Sequence, residues 1–187
     1  MPLTLEQAKE ILKKHTTEPS LFVHAACVSA AMGQMAVLFG EDKAHWEAIG
    51  YLHDVDYEEH PDEHCHHVRE YLAPEGISEE DIRSIISHGY GICTDEIEPT
   101  TNLEKSLFTV DELTGIVHAY ALMRPEGMDG MELKSFKKKY KDKKFAAGCK
   151  RDIIDRGFAM LDLEPTVVMQ AVIDGMSAHK EEIFGNQ

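Results

Sequence analysis

Ala48-Ile49-Gly50-Tyr51-Leu52-His53-Asp54 is the stretch on which the fold of this chain turns. Trp46, Ile49 and His53 recur at helical spacing and share one face. The spacing predicts a helix over about 42–54 that ends on a His-Asp pair. Its neighbours carry the same period. Upstream, Pro19 and Ser20 open a helix over roughly 19–39 with an inner stripe of His24, Val28, Ala31, Met35 and Leu38, stopped at Gly40. Before it, Thr4-Leu5-Glu6-Gln7 reads as a capped start, with Ile11 and Leu12 turned inward.

Downstream, Pro61 takes a favoured first helical position and begins a helix carrying His64, Val68, Tyr71 and Leu72. Ser78 caps another helix that ends near His88. Gly89, Gly91 and Pro99 mark a loop. A long helix over about 102–123 sets Leu103, Leu107, Asp111, Thr114 and His118 along one stripe. Pro125, Gly127 and Gly130 then break the chain, and helices over about 150–162 and 165–184 close it. There is no period-two alternation and no hairpin signal. The expected fold class is all-α: one domain over 1–187, with a core at about 20–123 and residues 124–187 packed on it.

Composition fits that reading. The chain has 187 residues, 43% of them apolar, enough for one well-buried core. No uninterrupted apolar run approaches the roughly 18 residues that span a bilayer, and the N-terminus lacks a signal-peptide core. Cys27, Cys65, Cys93 and Cys149 form no C-x-x-C pair, which suits reduced thiols. A cytoplasmic protein with no membrane partner is the expectation. The formal net charge is −15 and unevenly spread. Lys134–Arg151 holds nine basic residues and one acid, Asp142, leaving −23 elsewhere. Such an acidic chain is a poor general binder of nucleic acid, because phosphate contacts need neutralising cations. The basic segment is the one exception.

His24 and Asp111 are polar residues on otherwise apolar stripes. Burying an unpaired carboxylate costs roughly several kcal/mol unless a charge or metal compensates. With His53 and Asp54 they make a candidate four-ligand set. Imidazole and carboxylate together suit Zn, Mn, Fe, Co or Ni. A blander reading stands beside this one. A histidine on an apolar stripe is more often a satisfied core residue, Asp111 could pair with Lys105 or Arg124, and Asp54 could serve a turn. Periodicity alone does not join the four in space. His60, His66 and His67 read as solvated residues beside Asp62 and Glu63.

The order His24, His53-Asp54, Asp111 resembles the signature of the HD-domain superfamily of metal-dependent phosphohydrolases. The likeness covers roughly residues 20–120. Ala48–Asp54 resembles the metal-binding helix end, and Thr109-Val110-Asp111-Glu112-Leu113-Thr114 the helix carrying the last Asp. Ser87-His88-Gly89-Tyr90-Gly91 resembles the His-x-x-Gly stretch of bacterial HD-type symmetrical diadenosine tetraphosphate hydrolases. Residues 124–187 are similar to the Lys-rich ends of small stand-alone HD proteins.

The resemblance implies an all-α bundle with metal at its centre. It further implies a binuclear site, with His24, His53 and Asp111 on one ion, His64 and His88 on the other, and Asp54 bridging. His67 is the runner-up to His64. The chain also departs from the family. Many members follow the His-Asp pair with Ile-Gly-Lys, but here Val55-Asp56-Tyr57 stands instead. The extended motif of the cyclic-di-nucleotide phosphodiesterases is absent, which argues against that activity. Whether Asp56 or Glu58 orients a water in place of the missing Lys stays open.

The implied activity is hydrolysis of a phosphomonoester, phosphodiester or phosphoanhydride of a small molecule, a nucleotide first among them, by metal-activated water. One or two divalent ions (Mn, Fe, Co, Ni, Zn or Mg) are the expected cofactor. Asp54, His88 and Asp111 are the candidate catalytic residues. His88 or His64, if not a ligand, could protonate the leaving group. Lys105, Arg124, Lys137 and Lys138 are candidates for the substrate phosphate. Three alternatives remain: a non-catalytic metal-binding interaction module, a nucleic-acid-binding module that uses the Lys-rich segment, and a metal store whose ligands are His60, His64, His66 and His67.

Overall fold

The computed structural model describes residues 1–185. Among these residues helix covers 68% of the chain and no strand occurs, so the fold is all-α. The helices are α1 (Leu5–His15), α2 (Pro19–Phe39), α3 (Lys43–Leu52), α4 (Val68–Leu72), α5 (Glu79–Ile86), α6 (Asn102–Met123), α7 (Leu133–Lys141), α8 (Arg151–Leu161), α9 (Pro165–Ala178) and α10 (Lys180–Phe184). Single 3-10 turns at Pro61–Glu63, Ala73–Glu75 and Ser87–Gly89 join some of them.

Helix α2 is the axis of the bundle, packed by α3, α6 and α9. Its middle, from Ala25 to Gly33, is buried residue after residue. A helix surrounded on most sides cannot keep a polar face, which explains its composition. By length and composition α2 reaches what a bilayer crossing requires (21 residues, mean hydropathy 1.7), contrary to the expectation from uninterrupted runs. The apolar window is 61% buried within the protein, as suits a central helix.

Small residues let the neighbours approach α2 closely. A Cβ at Gly50 of α3 would stand 3.0 Å from the Val28 carbonyl and 3.1 Å from Ser29 Cα. One at Gly175 of α9 would overlap the Ala30 carbonyl. The first crossing fixes α3, and with it His53-Asp54, against the helix that carries His24, and the second seats α9 on the same helix.

The local signals act as expected at several ends. Thr4 and Gln7 form a reciprocal capping box, and α6 opens on a second one, Thr101 with Glu104, that sequence reasoning missed. Gly40 closes α2 at φ 68°, a conformation cheap only for glycine. Other expectations fail for stated reasons. Leu38, placed on the inner stripe, is 47% exposed, while Phe39 beside it turns to Trp46 of α3. Helix α3 stops at Leu52, and His53 is its cap. Pro61 begins only one 3-10 turn; the chain then leaves helical geometry and α4 starts at Val68. The helix expected over 165–184 is split at His179.

The basic segment is partly helical as α7, anchored by the fully buried Phe136. Arg151 ties its end down. Its guanidinium donates to the carbonyls of Lys139, Tyr140, Asp142, Phe145 and Ala146. That cation is spent on the backbone.

Helices α3 and α5 are also linked by His45 Nε2 and Asp81 Oδ1, 2.8 Å apart. The hydrogen bond to Asp81 raises the His45 pKa against the opposing effect of burial. A raised histidine contributes stability that is complete below its unfolded value of about 6.5 and fades as pH climbs through the folded value. His45→Gln is therefore expected to flatten the fall in melting temperature above pH 6.5 or so. An unchanged pH dependence in that variant would remove His45 from the account.

Candidate metal centre

Three elements converge on α2. Helix α2 supplies His24, the end of α3 supplies His53 and Asp54, the turn after α5 supplies His88, and α6 supplies Asp111. The irregular segment between Glu63 and α4 adds His64.

The donor atoms fall into two groups. In the first, His24 Nε2 lies 2.9 Å from Asp111 Oδ1 and 3.2 Å from His53 Nε2. His53 Nε2 is 3.2 Å from Asp111 Oδ1, and Asp54 Oδ2 is 3.3 Å from His53 and 3.4 Å from His24. In the second, His64 Nε2 is 3.0 Å from His88 Nε2 and 3.1 Å from Asp54 Oδ1, and His88 Nε2 is 3.4 Å from that same oxygen. Asp54 thus turns one carboxylate oxygen to each group.

These separations fit a shared cation. Nitrogen and oxygen ligands at about 2.0–2.2 Å from one ion stand roughly 2.8–3.6 Å from each other. The proton bookkeeping points the same way. His64 Nδ1 donates to Asp56 Oδ1 at 2.8 Å, and His88 Nδ1 donates to the Ile85 carbonyl. Each acceptor fixes the ring's orientation, so both rings turn Nε2 toward Asp54 Oδ1. Two imidazole nitrogens and a carboxylate oxygen then crowd one point. Such a group repels itself unless a cation stands among its members. His53 is held the same way, through Nδ1 to the Gly50 carbonyl at 2.7 Å. The orienting partner behind each ring is what metal-binding histidines require.

Without metal, protons fill that role. Burial opposes a charged His53, yet Asp54 and Asp111 hold its pKa well above the ordinary value. Burial likewise opposes ionised Asp54, but His53, His64 and His88 hold its carboxyl well below the usual range. Asp111 is lowered despite burial by His53 and His24. His64, against its burial, is raised to about 10 by Asp54 and Asp56. The pocket therefore demands positive charge, and buried His, Asp and Cys groups here could hold a metal ion.

A cavity of about 350 Å³ opens on the donors, lined among others by Leu21, Tyr57, Gly89, Ile92, Cys93 and Glu112. Among the described residues no Lys or Arg lines it. The four residues expected at the substrate phosphate are elsewhere. Lys137 and Lys138 line a separate groove with Leu133, Lys134 and Lys141. Arg124 caps α6 and donates to the carbonyls of Gly127 and Asp129, roughly 20 Å along the helix from Asp111. Lys105 lies roughly 120° around the α6 axis from Asp111. The nearer cations are Lys150, which caps α8, and Arg156 in its middle. Lys150 donates its backbone N–H to Glu112 Oε2 at 3.0 Å. The Arg156 guanidinium lies over Phe108 and against Gly91, next to the cavity wall.

Other expectations sort themselves. Asp111 faces His24 and His53, not Lys105 or Arg124. His67, the runner-up to His64, stands outside both groups; its ring stacks on His60 and its Nδ1 meets Glu70. His66 is not merely solvated, since its Nε2 meets the Cys93 carbonyl at 2.8 Å. Glu58 caps the entry to α2 through Thr17 and Glu18 and is no water-orienting group. Asp56 is fully buried, clamping His64 and accepting from the His67 N–H.

Sequence reasoning missed Cys65 and Glu112. Glu112 had a signal, as the residue next to Asp111 within the quoted Thr109–Thr114 stretch. Cys65 had only its place beside His64. No family model matches the chain, and no curated protein or solved structure matches it.

Proposed function

We propose that this chain is a metal-dependent phosphohydrolase that cleaves a phosphomonoester, phosphodiester or phosphoanhydride bond of a small molecule, with a nucleotide as the leading substrate class. The observation that carries the proposal is Asp54, whose two oxygens face separate groups of metal donors beside an open cavity. The resemblance of His24, His53-Asp54 and Asp111 to the HD signature supports the same reading. Divalent ions held there would activate water and neutralise phosphoryl charge.

The chain's own residues supply the rest. Asp54 and Asp111 hold positive charge in the pocket, and Asp56 locks the His64 ring. His88 has its Nδ1 committed and its ring buried, so it serves as a donor and not as the leaving-group acid. Glu112 lines the cavity, and its carboxyl is raised by burial against the opposing pull of the Lys150 N–H. It is suited to move a proton at a leaving-group oxygen. Lys150 and Arg156 replace the four expected residues as cations for the non-reacting phosphate oxygens.

The cavity volume of about 350 Å³ suits a small phosphorylated molecule rather than a polymer. Tyr57 and Ile92 on its wall are 41% and 50% exposed, an apolar edge on which a flat base can rest.

The test uses metal-stripped protein reloaded separately with Mn, Fe, Co, Ni or Zn. Each form is screened against nucleotides, phosphomonoesters and phosphodiesters for phosphate or nucleotide release. Turnover by at least one metal form is expected. No turnover in any form, with bound metal measured, would leave a metal-binding module without catalysis.

A further inference from the structure

The second donor group has a sulfur beside it. Cys65 follows His64 directly, is 1% exposed, and sets Sγ 3.9 Å from His88 Nε2. Donor atoms of His64, Cys65 and His88 all lie within 4.8 Å of one another. A metal–sulfur bond, at about 2.3 Å, is longer than a metal–nitrogen bond, so a sulfur sharing an ion with an imidazole stands roughly 3.2–3.7 Å from its nitrogen. The observed separation is within reach of that range by a small side-chain rotation.

The backbone is bent toward the same end. Cys65 has φ 74°, in the left-handed region that a side chain normally avoids at a cost of roughly 1–2 kcal/mol. In extended chain, consecutive side chains point to opposite sides. The left-handed turn brings both His64 and Cys65 inward. Strain held among converging donors marks a site whose geometry is used.

Resting on the metal-centre reading, we infer that Cys65 is a thiolate ligand to the ion held by Asp54, His64 and His88. The two positions then differ in chemistry. The group of His24, His53, Asp54 and Asp111 offers only nitrogen and oxygen, while the other offers nitrogen, oxygen and sulfur. A thiolate selects a softer divalent ion such as zinc, cobalt(II) or iron(II) over magnesium.

Cys93 is the competing sulfur. Both thiols close on Gly89, where a Cβ would stand 2.6 Å from Cys93 Sγ and 2.7 Å from Cys65 Sγ. Cys93, however, is half-buried on the cavity wall and directs its sulfur to the Gly89 carbonyl at 3.8 Å. A dication at bonding distance brings Cys65 to the thiolate, because a coordinated thiol gives up its proton.

The test is spectroscopic and needs no turnover. The full chain is stripped of metal, reduced, and titrated with cobalt(II), with bound cobalt measured by elemental analysis. A thiolate-to-cobalt charge-transfer band is expected in the near ultraviolet. It should persist in Cys93→Ser and vanish in Cys65→Ser. Cobalt bound to the native chain without that band overturns the role of Cys65 and leaves the metal centre standing. A band lost in Cys93→Ser but kept in Cys65→Ser also overturns it. No cobalt bound at all overturns the metal-centre reading itself.

Discussion

Asp54→Asn is expected to empty both donor groups together. The substitution keeps volume and shape but removes the charge and the second anionic oxygen. Oδ2 closes the group of His24, His53 and Asp111, and Oδ1 closes the group of His64 and His88. Loss of an orienting partner alone costs roughly 10–100-fold in metal affinity, and loss of a shared ligand should exceed that at each position. His64→Ala, by contrast, should lower metal content at one group only. Stability offers an independent readout. Metal at about 100 times its dissociation constant stabilises a native chain by roughly 2.7 kcal/mol, which in a chain of this size raises the melting temperature by about 5–10 °C. That rise should be absent in Asp54→Asn.

The same carboxylate sets the pH dependence of metal uptake. His64 holds its proton to about 10 in the metal-free chain. At neutral pH an incoming ion must displace that proton, so uptake releases acid and apparent affinity falls as pH falls. A weakly buffered solution should acidify on metal addition to the native chain, and not with Asp54→Asn. Full metal content together with an undiminished thermal shift in the variant would end the two-group assignment.

Much of this centre is legible in the sequence, and the limits are physical. The helices carrying His24, His53 and Asp111 announce themselves by apolar spacing, since each buries a continuous stripe. Gly40 fixes the end of the helix that carries His24. What periodicity cannot carry is rotation and crossing. Asp111 shares its stripe with Leu107 and Thr114, and only the packing of α6 on α2 decides that it meets His24. The segment after Pro61 failed for another reason. The helix read from Pro61 with His64, Val68, Tyr71 and Leu72 starts only at Val68, and the segment before it is held by Asp56 at the His64 ring and the His67 N–H. A left-handed cysteine carries no sequence mark, because glycine is the residue that advertises that conformation. The basic segment misled through charge alone. Its lysines line their own groove, and its arginine serves the backbone.

Glu112→Gln separates chemistry from metal binding. Glu112 is adjacent to a proposed ligand, yet its carboxyl faces the cavity and belongs to neither donor group. Glutamine keeps the volume and can still accept the Lys150 N–H through its amide oxygen. Only the titratable proton is lost. General acid catalysis contributes roughly 10²–10⁴-fold to rate, so kcat should fall by that order while bound metal stays constant. The pH profile gives the sign. An acid must be protonated to act, and burial raises the Glu112 pKa above its ordinary value. Native kcat should therefore decline as pH rises through that raised value, and the variant should lose this limb. Stability moves the other way. A carboxyl raised by burial favours the folded state most while protonated, and that advantage is lost as pH rises from the unfolded value upward. A permanently neutral glutamine escapes that loss, so the variant should melt at a higher temperature near neutral pH. Lower turnover with higher stability is the pattern of a group kept for its reaction at the expense of the fold. Unchanged kcat with an unchanged pH profile would reduce Glu112 to an acceptor for the start of α8, and the proton for the leaving group would have to come from solvent.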